Sequence, residues 1–224
     1  MQRLLRKNIF KIFWVTVFVG LMVVLFNIRW LDLIVKPLLM PLLMVALFFK
    51  TGQSKGKKKI FIALLFAFFG DVLLLFEDKG ELFFIAGLAC FLLTHCFYIS
   101  YFIQIKQSGD STAKKHPYLS IIIGLYAAAL LYFLWPNLKE LKIPVIVYAF
   151  AISTMFYLSL CIPYKIGKIA GQLFVLGAIL FVISDSILAI NKFYKPFIIA
   201  PALIRVSYCV AQYCIVKAFI KKRY

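Results

Sequence analysis

The feature that most constrains this chain is a series of eight continuous apolar segments, each close to the ~20 residues that a helix needs to cross a bilayer. Because the segments are continuous and not alternating, we expect helices and not the strands of a barrel. Hydrophobic residues make up 64% of the 224 residues and charged residues 15%, an excess of apolar surface that a water-soluble core could not bury. The sequence therefore predicts an all-α polytopic membrane protein, a bundle of eight transmembrane helices in one domain over residues 1–224. The predicted segments are Ile9–Ile28, Leu31–Phe49, Ile60–Phe76, Leu82–Ile103, Tyr118–Trp135, Ile143–Ile162, Ile169–Ile190 and Phe197–Ile220.

The basic residues predict the orientation of these helices. Eighteen Lys and Arg residues fall at the two ends and in the even-numbered loops, and six fall in the odd-numbered loops. Since basic loops stay in the cytoplasm, we expect both termini there, and we expect the chain in the inner (cytoplasmic) membrane of a bacterium. The first segment is too long for a signal peptide, and no small-residue cleavage pattern follows it, so we expect a first transmembrane helix. The net charge of +18 is thus a topology signal and does not indicate nucleic-acid binding.

Four charged residues lie five or more residues from either end of a predicted helix, where each charge costs about 2.5 to 3.5 kcal/mol on insertion scales. They are Asp71 in the third segment, Asp185 in the seventh, Lys36 in the second and Arg205 in the eighth. With both termini inside, all four are expected roughly 7 to 12 Å below the outer surface. The sequence therefore predicts two acids and two bases in one layer of the membrane.

Further polar residues follow helical spacing on the same segments. They are Ser184 and Asn191 beside Asp185, Tyr208 and Gln212 after Arg205, and His95 and Tyr98 on the fourth segment. Together with the charges, these side chains indicate the lining of a polar cavity that binds substrate. The alternative is purely structural: two salt bridges that join helices, with His95 as a satisfied core histidine.

The chemistry predicted from these residues is hydrolysis. Two carboxyl groups with a water molecule between them are suited to acid-initiated cleavage through an oxocarbenium-like cation. Two histidines, no His-Glu-x-x-His pattern and no Cys-x-x-Cys pair make a metal site unexpected, and no cofactor is expected. A pocket reached from lipid would select an amphiphile. Intramembrane acids and bases are equally typical of transporters and proton pathways, which remain the alternative class, and a noncatalytic membrane scaffold is a third interpretation.

Ordered motifs between Lys36 and Gln212 resemble the lysoplasmalogenase family of YhhN-like membrane proteins. The early motifs are Lys36-Pro37, Gly70-Asp71 and Phe84-x-x-Gly87-x-x-x-Phe91-x-x-x-His95-x-x-Tyr98. The later motifs are the run from Gly177 to Ser186, then Asn191, and Tyr208-x-x-x-Gln212. Each motif alone is common in membrane proteins, whereas their order along the chain is specific.

The resemblance implies an eight-helix enzyme that hydrolyses the vinyl ether bond of lysoplasmalogens to a fatty aldehyde and a glycerophospho-headgroup product. It also implies that Asp71 and Asp185 are the catalytic pair, without a metal or organic cofactor, and that the partners are a lysophospholipid and the bilayer. Lys36 and Arg205 are hypothesised to bind the phosphate or a carboxylate. Another enol ether or lysophospholipid remains an alternative substrate, and the sequence leaves open which aspartate is the acid.

Overall fold

The computed structural model describes residues 2–107, 117–162 and 166–222. Within these ranges the regular structure is helical throughout, with eight α-helices and three short 3-10 turns in the connections. The basic residues Lys114, Lys115, Lys165 and Arg223, counted above for orientation, lie outside the described ranges. The helices are α1 (Gln2–Leu25), α2 (Arg29–Lys50), α3 (Lys57–Leu74), α4 (Glu81–Gln107), α5 (Pro117–Leu134), α6 (Lys142–Cys161), α7 (Lys168–Phe193) and α8 (Ala200–Lys221).

Each of the eight predicted apolar segments is confirmed as a helix. Most of the helices begin a few residues before the apolar segment, because charged side chains such as those of Arg29, Lys57 and Glu81 form their first turns. Seven helices within the described ranges are long and apolar enough to cross a membrane. The remaining helix, α3, has 18 residues that include three consecutive lysines at its start and Asp71 near its end. The chain is therefore a multi-pass integral membrane protein.

A lysine closes the connection between α2 and α3. Lys57 Nζ donates hydrogen bonds to the carbonyl oxygens of Thr51 at 2.8 Å, Gly52 at 3.3 Å and Phe48 at 3.4 Å. These carbonyls lie at and beyond the C-terminal end of α2, where a helix has no internal donors for its last carbonyl groups. Gly56 precedes α3 with a φ of 85°, a conformation that glycine adopts without a steric penalty. The basic connection is therefore a compact turn.

The contacts within the chain define two compact units, Met1–Tyr98 and Ile99–Tyr224, with α4 contributing to both. In the first unit, α2 packs on α1 and α3, and α3 packs on α4. A Cβ atom built on Gly70 of α3 would lie 2.8 Å from the ring of Phe91, and one built on Gly87 of α4 would lie 2.9 Å from Leu74. The two glycines therefore allow α3 and α4 to approach closely on either side of Asp71.

An ion pair joins two connections of the first unit. The Arg29 guanidinium donates to the Asp78 carboxylate at 2.5 Å, and this hydrogen bond lowers the pKa of Asp78. Arg29 begins α2, and Asp78 lies in the 3-10 turn after α3. Both side chains are more than half exposed, so the pair contributes little to stability. The ion pair is informative about the fold, because it shows that the start of α2 and the end of α3 lie at the same end of the unit.

The second unit is organised around α7, which packs most closely on α8. A Cβ atom on Gly177 would lie 2.8 Å from Ile215 Cγ1 and 3.0 Å from the carbonyl oxygen of Ala211, so this glycine permits the close approach. Buried aromatic rings complete the packing, with Phe102 edge-on to Phe174 at a centroid distance of 5.2 Å. Helices α5 and α6 pack less closely against the other side of α7. The division into two units leaves the prediction of a single domain as a prediction.

Candidate active site

The central contact of the candidate site is a short hydrogen bond between α6 and α7. The Tyr148 hydroxyl donates to Asp185 Oδ2 at 2.5 Å. Tyr148 is buried, whereas Asp185 is half-buried. Asp185 is therefore held in a defined orientation by a donor that sequence analysis did not predict.

This pair lies at the wall of a cavity with a volume of about 280 Å³. The cavity is formed by side chains between positions 122 and 134 of α5, 145 and 156 of α6, and 182 and 189 of α7. Most of the lining residues are aliphatic or aromatic. The polar members are Tyr126, Tyr148, Ser153, Asp185 and Ser186. A largely apolar cavity with a few convergent polar groups is the typical form of a binding site for an apolar ligand.

A second hydrogen bond crosses the cavity between α5 and α7. The Tyr126 hydroxyl donates to Ser186 Oγ at 2.8 Å, and Ser186 Oγ donates to the carbonyl oxygen of Val182 at 2.7 Å. Tyr126 is 49% exposed and the neighbouring lining residue Ile122 is 57% exposed, so the cavity reaches the surface of α5 at this point. Most residues of α5 are exposed and apolar, as expected of a helix that faces lipid.

The two predicted residues near Asp185 on α7, Ser184 and Asn191, form hydrogen bonds outside the cavity. Ser184 is buried and its Oγ donates to the carbonyl oxygen of Ile204 in α8 at 3.2 Å. Asn191 lies near the end of α7, where its Oδ1 accepts a hydrogen bond from the backbone N–H of Phe197 at 3.1 Å. Ser184 therefore belongs to the α7–α8 contact, and Asn191 orders the connection between those two helices.

The predicted residues of α8 are all buried. Arg205 is 8% exposed, and Gln212 is completely buried. Tyr208 packs edge-on against Phe181 of α7 at a centroid distance of 5.5 Å. A guanidinium at such a buried position needs charged or polar groups around it. Among the residues that the structure describes in this unit, Asp185 is the predicted site residue that lines the cavity.

The predicted residues of the first unit lie on α2, α3 and α4. Asp71 is 2% exposed, and His95 and Tyr98 of α4 are completely buried. Lys36 of α2 is half-buried. Phe91, one turn before His95, places its ring against Gly70, directly beside Asp71 in the chain. The structure therefore buries Asp71, and the residue before it in α3 is tightly packed against an aromatic ring of α4.

Each of the four charged residues lies within eight residues of one end of its helix. Lys36 lies seven residues after the start of α2, and Asp71 lies three residues before the end of α3. Asp185 lies eight residues before the end of α7, and Arg205 lies five residues after the start of α8. At 1.5 Å per residue, these positions are about 5 to 12 Å from the helix ends. A common layer in the membrane stays a prediction.

Comparison with known proteins adds a family to this geometry. A family model described as YhhN family matches residues 31–219. The chain belongs to the YhhN family. The match covers both aspartates and every other predicted site residue, and it also covers Tyr148 and the whole cavity of the second unit.

Several named proteins that are similar in sequence to this YhhN-family chain are described as lysoplasmalogenases. The human protein named lysoplasmalogenase TMEM86A is 29% identical over 180 residues, which cover 74% of this chain and 66% of the relative. Its bovine counterpart of the same name is 31% identical over 173 residues, with the same coverage. A lysoplasmalogenase of Mycobacterium bovis is 30% identical over 113 residues, or 49% of this chain and 41% of the relative. The chain thus spans just under two thirds of the mammalian relatives. No solved structure matches the chain at a significant level.

Two features of the site were not predicted from the sequence. Tyr148 and Tyr126 lie in apolar segments, where a tyrosine is commonly a packing or interfacial residue. The available signal was weak: Tyr148 shares an i, i+4, i+8 stripe with Ile152 and Phe156, as His95 does with its neighbours.

In the described part of the chain, no cluster of three or more His, Cys, Asp or Glu residues could hold a metal ion.

Proposed function

We propose that this YhhN-family chain is a membrane hydrolase that cleaves the vinyl ether bond of lysoplasmalogen-type lysophospholipids. The products are a fatty aldehyde and a glycerophospho-headgroup compound. The observation that carries the proposal is the Asp185 carboxylate, oriented by Tyr148 at the wall of an apolar cavity. The names of the relatives agree with this chemistry. Such a reaction requires a site for a single hydrocarbon chain. It also requires a carboxylate that acts on the vinyl ether at the end of that chain.

The reaction needs one proton donor and one base. Protonation of the vinyl carbon that does not carry oxygen breaks the double bond and gives an oxocarbenium ion. A base then takes a proton from water as the water oxygen bonds to the carbon bearing the ether oxygen, which gives a hemiacetal. The two carboxyl groups exchange roles as the hemiacetal collapses: one takes the hydroxyl proton and the other protonates the departing glycerol oxygen. The sum is addition of one water molecule, with both groups restored.

We assign the base to Asp185 and the proton donor to Asp71. The Tyr148 hydroxyl donates to Asp185 Oδ2 and fixes the carboxyl group at the cavity wall. A carboxylate held in this position can accept a proton from the attacking water, which is why we give Asp185 the role of the base. The other carboxyl group of the proposed pair, the buried Asp71, then supplies the proton.

The remaining predicted residues are proposed to bind the substrate. Arg205, a buried cation, would bind the phosphate by a charge-assisted hydrogen bond, and Lys36 would bind it as a point charge. The polar side chains proposed to contact the headgroup or glycerol are His95, Tyr98, Ser184, Asn191, Tyr208 and Gln212.

We further propose eight membrane crossings with both termini in the cytoplasm of a bacterial cell. The Arg29–Asp78 ion pair supports a crossing by α3, because it joins the connection before α2 to the connection after α3. If α2 crosses the membrane, α3 must then cross it back. The 18 residues of α3 span about 27 Å, nearly the thickness of the hydrocarbon core.

Aldehyde release by the purified protein tests the proposal. With lysoplasmenylethanolamine in detergent, the wild-type protein should release aldehyde, and Asp71→Asn and Asp185→Asn should each lower kcat by at least about 100-fold, a typical contribution of general acid–base catalysis. Asp78→Asn, a change of an exposed carboxylate, is the matched control and should stay within about twofold. In water enriched in oxygen-18, the glycerophospho product should carry no label, because water attacks the vinyl carbon.

Three results would overturn parts of this proposal. Full activity in either folded asparagine variant would remove that aspartate from the mechanism. Labelled glycerophospho product would mean that a different bond is cleaved. A wild-type protein that releases no aldehyde from any vinyl ether lysophospholipid would refute the hydrolase itself.

A further inference from the structure

We propose that the cavity between α5, α6 and α7 holds the hydrocarbon chain of the substrate and that Ala127 and Ala149 determine which chain lengths are cleaved. The inference rests on the proposed function, since it takes Asp185 as the point at which the vinyl ether is held. It adds a binding site and two specificity-determining residues, neither of which touches the reacting atoms.

The chemical character of the cavity wall indicates which part of the substrate binds in the cavity. Aliphatic and aromatic side chains form most of the lining, so a charged headgroup would lose its hydration there without gaining partners. The polar groups are concentrated around Asp185, Ser186 and the tyrosines that bond them, Tyr148 and Tyr126. A chain whose vinyl carbons lie at Asp185 therefore has its first polar atom at the polar part of the wall and its methylene groups along the apolar part.

The volume sets how much of the chain fits. A methylene group occupies nearly the same space as a water molecule, about 30 Å³, so a cavity of about 280 Å³ accommodates roughly nine carbons. Longer chains must leave the cavity, and the exposed lining residue Ile122, one helical turn before Tyr126, marks where the apolar part of the wall reaches the lipid-facing surface of α5. The cavity thus takes the part of the chain nearest the scissile bond, and the bilayer takes the remainder.

Two alanines on different helices leave this space open. Ala127 of α5 and Ala149 of α6 both line the cavity. Replacing either with leucine adds three carbons, or about 90 Å³, and so removes about a third of the volume. The narrowed cavity still holds about six carbons. Ala128, the next residue of α5, is exposed and is not part of the lining, so Ala128→Leu adds the same side chain outside the cavity.

The test compares two substrates that differ only in the length of the alkenyl chain. One has about four carbons, which the narrowed cavity still holds, and the other has about twelve, which fill the wild-type cavity. The measured quantity is the ratio of kcat/KM for the long chain to kcat/KM for the short chain. Partitioning of each substrate into detergent is the same for every protein variant, so it cancels when ratios are compared.

In Ala127→Leu and Ala149→Leu the ratio should fall at least about tenfold, because the added side chain lies in the path of the long chain through the cavity and does not reach the short chain. In Ala128→Leu it should stay within about twofold of the wild-type value. An unchanged ratio in both cavity variants, with normal activity on the short chain, would overturn the inference.

A photo-crosslinking experiment tests occupancy independently of hydrolysis. The probe is an alkyl ether lysophospholipid, which has no vinyl ether to cleave, with a diazirine on its chain. In the wild-type protein and in Ala128→Leu, it should label α5 and α6 at the cavity, and in Ala127→Leu and Ala149→Leu this labelling should fall about tenfold. Labelling confined to other helices would overturn the inference.

The photo-crosslinking experiment also distinguishes a single-chain substrate from other lipids in the cavity. It further distinguishes a failure of this inference from a failure of the proposed function. A diacyl phospholipid probe that labels the cavity as strongly as the single-chain probe would mean that a bilayer lipid occupies it, which would overturn the inference. Cavity labelling by the single-chain probe, without aldehyde release from any vinyl ether, would leave the chain site standing and refute the hydrolase.

Discussion

Tyr148→Phe is the change that most directly tests how Asp185 is used. It removes one oxygen atom, the donor of the 2.5 Å hydrogen bond, and keeps the aromatic ring at the cavity wall. The shape of the cavity is therefore preserved while the carboxylate loses its oriented donor. A loss of activity in this variant reports on Asp185 and not on the packing of the chain.

The expected magnitude follows from the strength of that bond. A hydrogen bond to a charged group contributes about 1.5 to 3 kcal/mol. If the bond stabilises the transition state fully, its removal lowers kcat by roughly 10- to 150-fold, at about 1.4 kcal/mol for each factor of ten. The ratio of kcat/KM between long and short chains should not change, because the ring that lines the cavity remains.

The assay is aldehyde release under saturating substrate, with Tyr157→Phe as the matched control. Tyr157 also lies in α6 but is not part of the cavity lining, so the control should keep kcat within about threefold of wild type. The double variant Tyr148→Phe, Asp185→Asn gives the sharpest result. If Tyr148 acts through Asp185, the double variant should be no slower than Asp185→Asn alone.

Two outcomes would refute this reasoning. A Tyr148→Phe protein with wild-type kcat would mean that the hydrogen bond is not used in catalysis. Effects that multiply in the double variant would mean that Tyr148 acts on the reaction by a route independent of Asp185.

The remaining predictions concern the first unit. Gly70→Ala should lower the free energy of unfolding by about 1 to 3 kcal/mol, measured by thermal denaturation in detergent, because its Cβ would lie 2.8 Å from the Phe91 ring. Gly124→Ala has open space at the Cβ position and should not destabilise; equal stability of both variants would contradict the close packing. In intact cells, a membrane-impermeant maleimide should label Lys79→Cys and should label Gln53→Cys only after permeabilisation. Labelling of both without permeabilisation would refute a crossing by α3, and the reverse pattern would refute the orientation.

The sequence was sufficient to predict the helices because their signal is local. A continuous apolar segment of bilayer length has one stable form in lipid, a helix, whatever it packs against. The structure confirms every predicted segment and corrects its ends by a few residues, where charged side chains form the first turn. Asp71 and Asp185 were also recognisable locally, because an ionisable residue in an apolar helix is costly enough to require a reason.

The partners of these residues depend on tertiary packing and could not be read from spacing. Ser184 and Asp185 were grouped in one polar stripe, yet adjacent residues of a helix point about 100° apart. In the structure Ser184 therefore contacts α8, and Asp185 contacts Tyr148 of α6. Tyr148 itself looks like any tyrosine in an apolar segment until α6 is placed beside α7.

The second unit assigns different tasks to its helices. The contact between α6 and α7 contains the hydrogen bond from Tyr148 to Asp185. Helix α5, in contrast, contributes much of the cavity lining and little of the buried core. A side chain on α5 can therefore change the volume of the cavity without breaking a densely packed interface. Changes on α7 are constrained twice, because one face bonds Tyr148 and another packs on α8 at Gly177. If chain selectivity changes among related proteins, we expect the change on α5, opposite the residues proposed to perform the reaction.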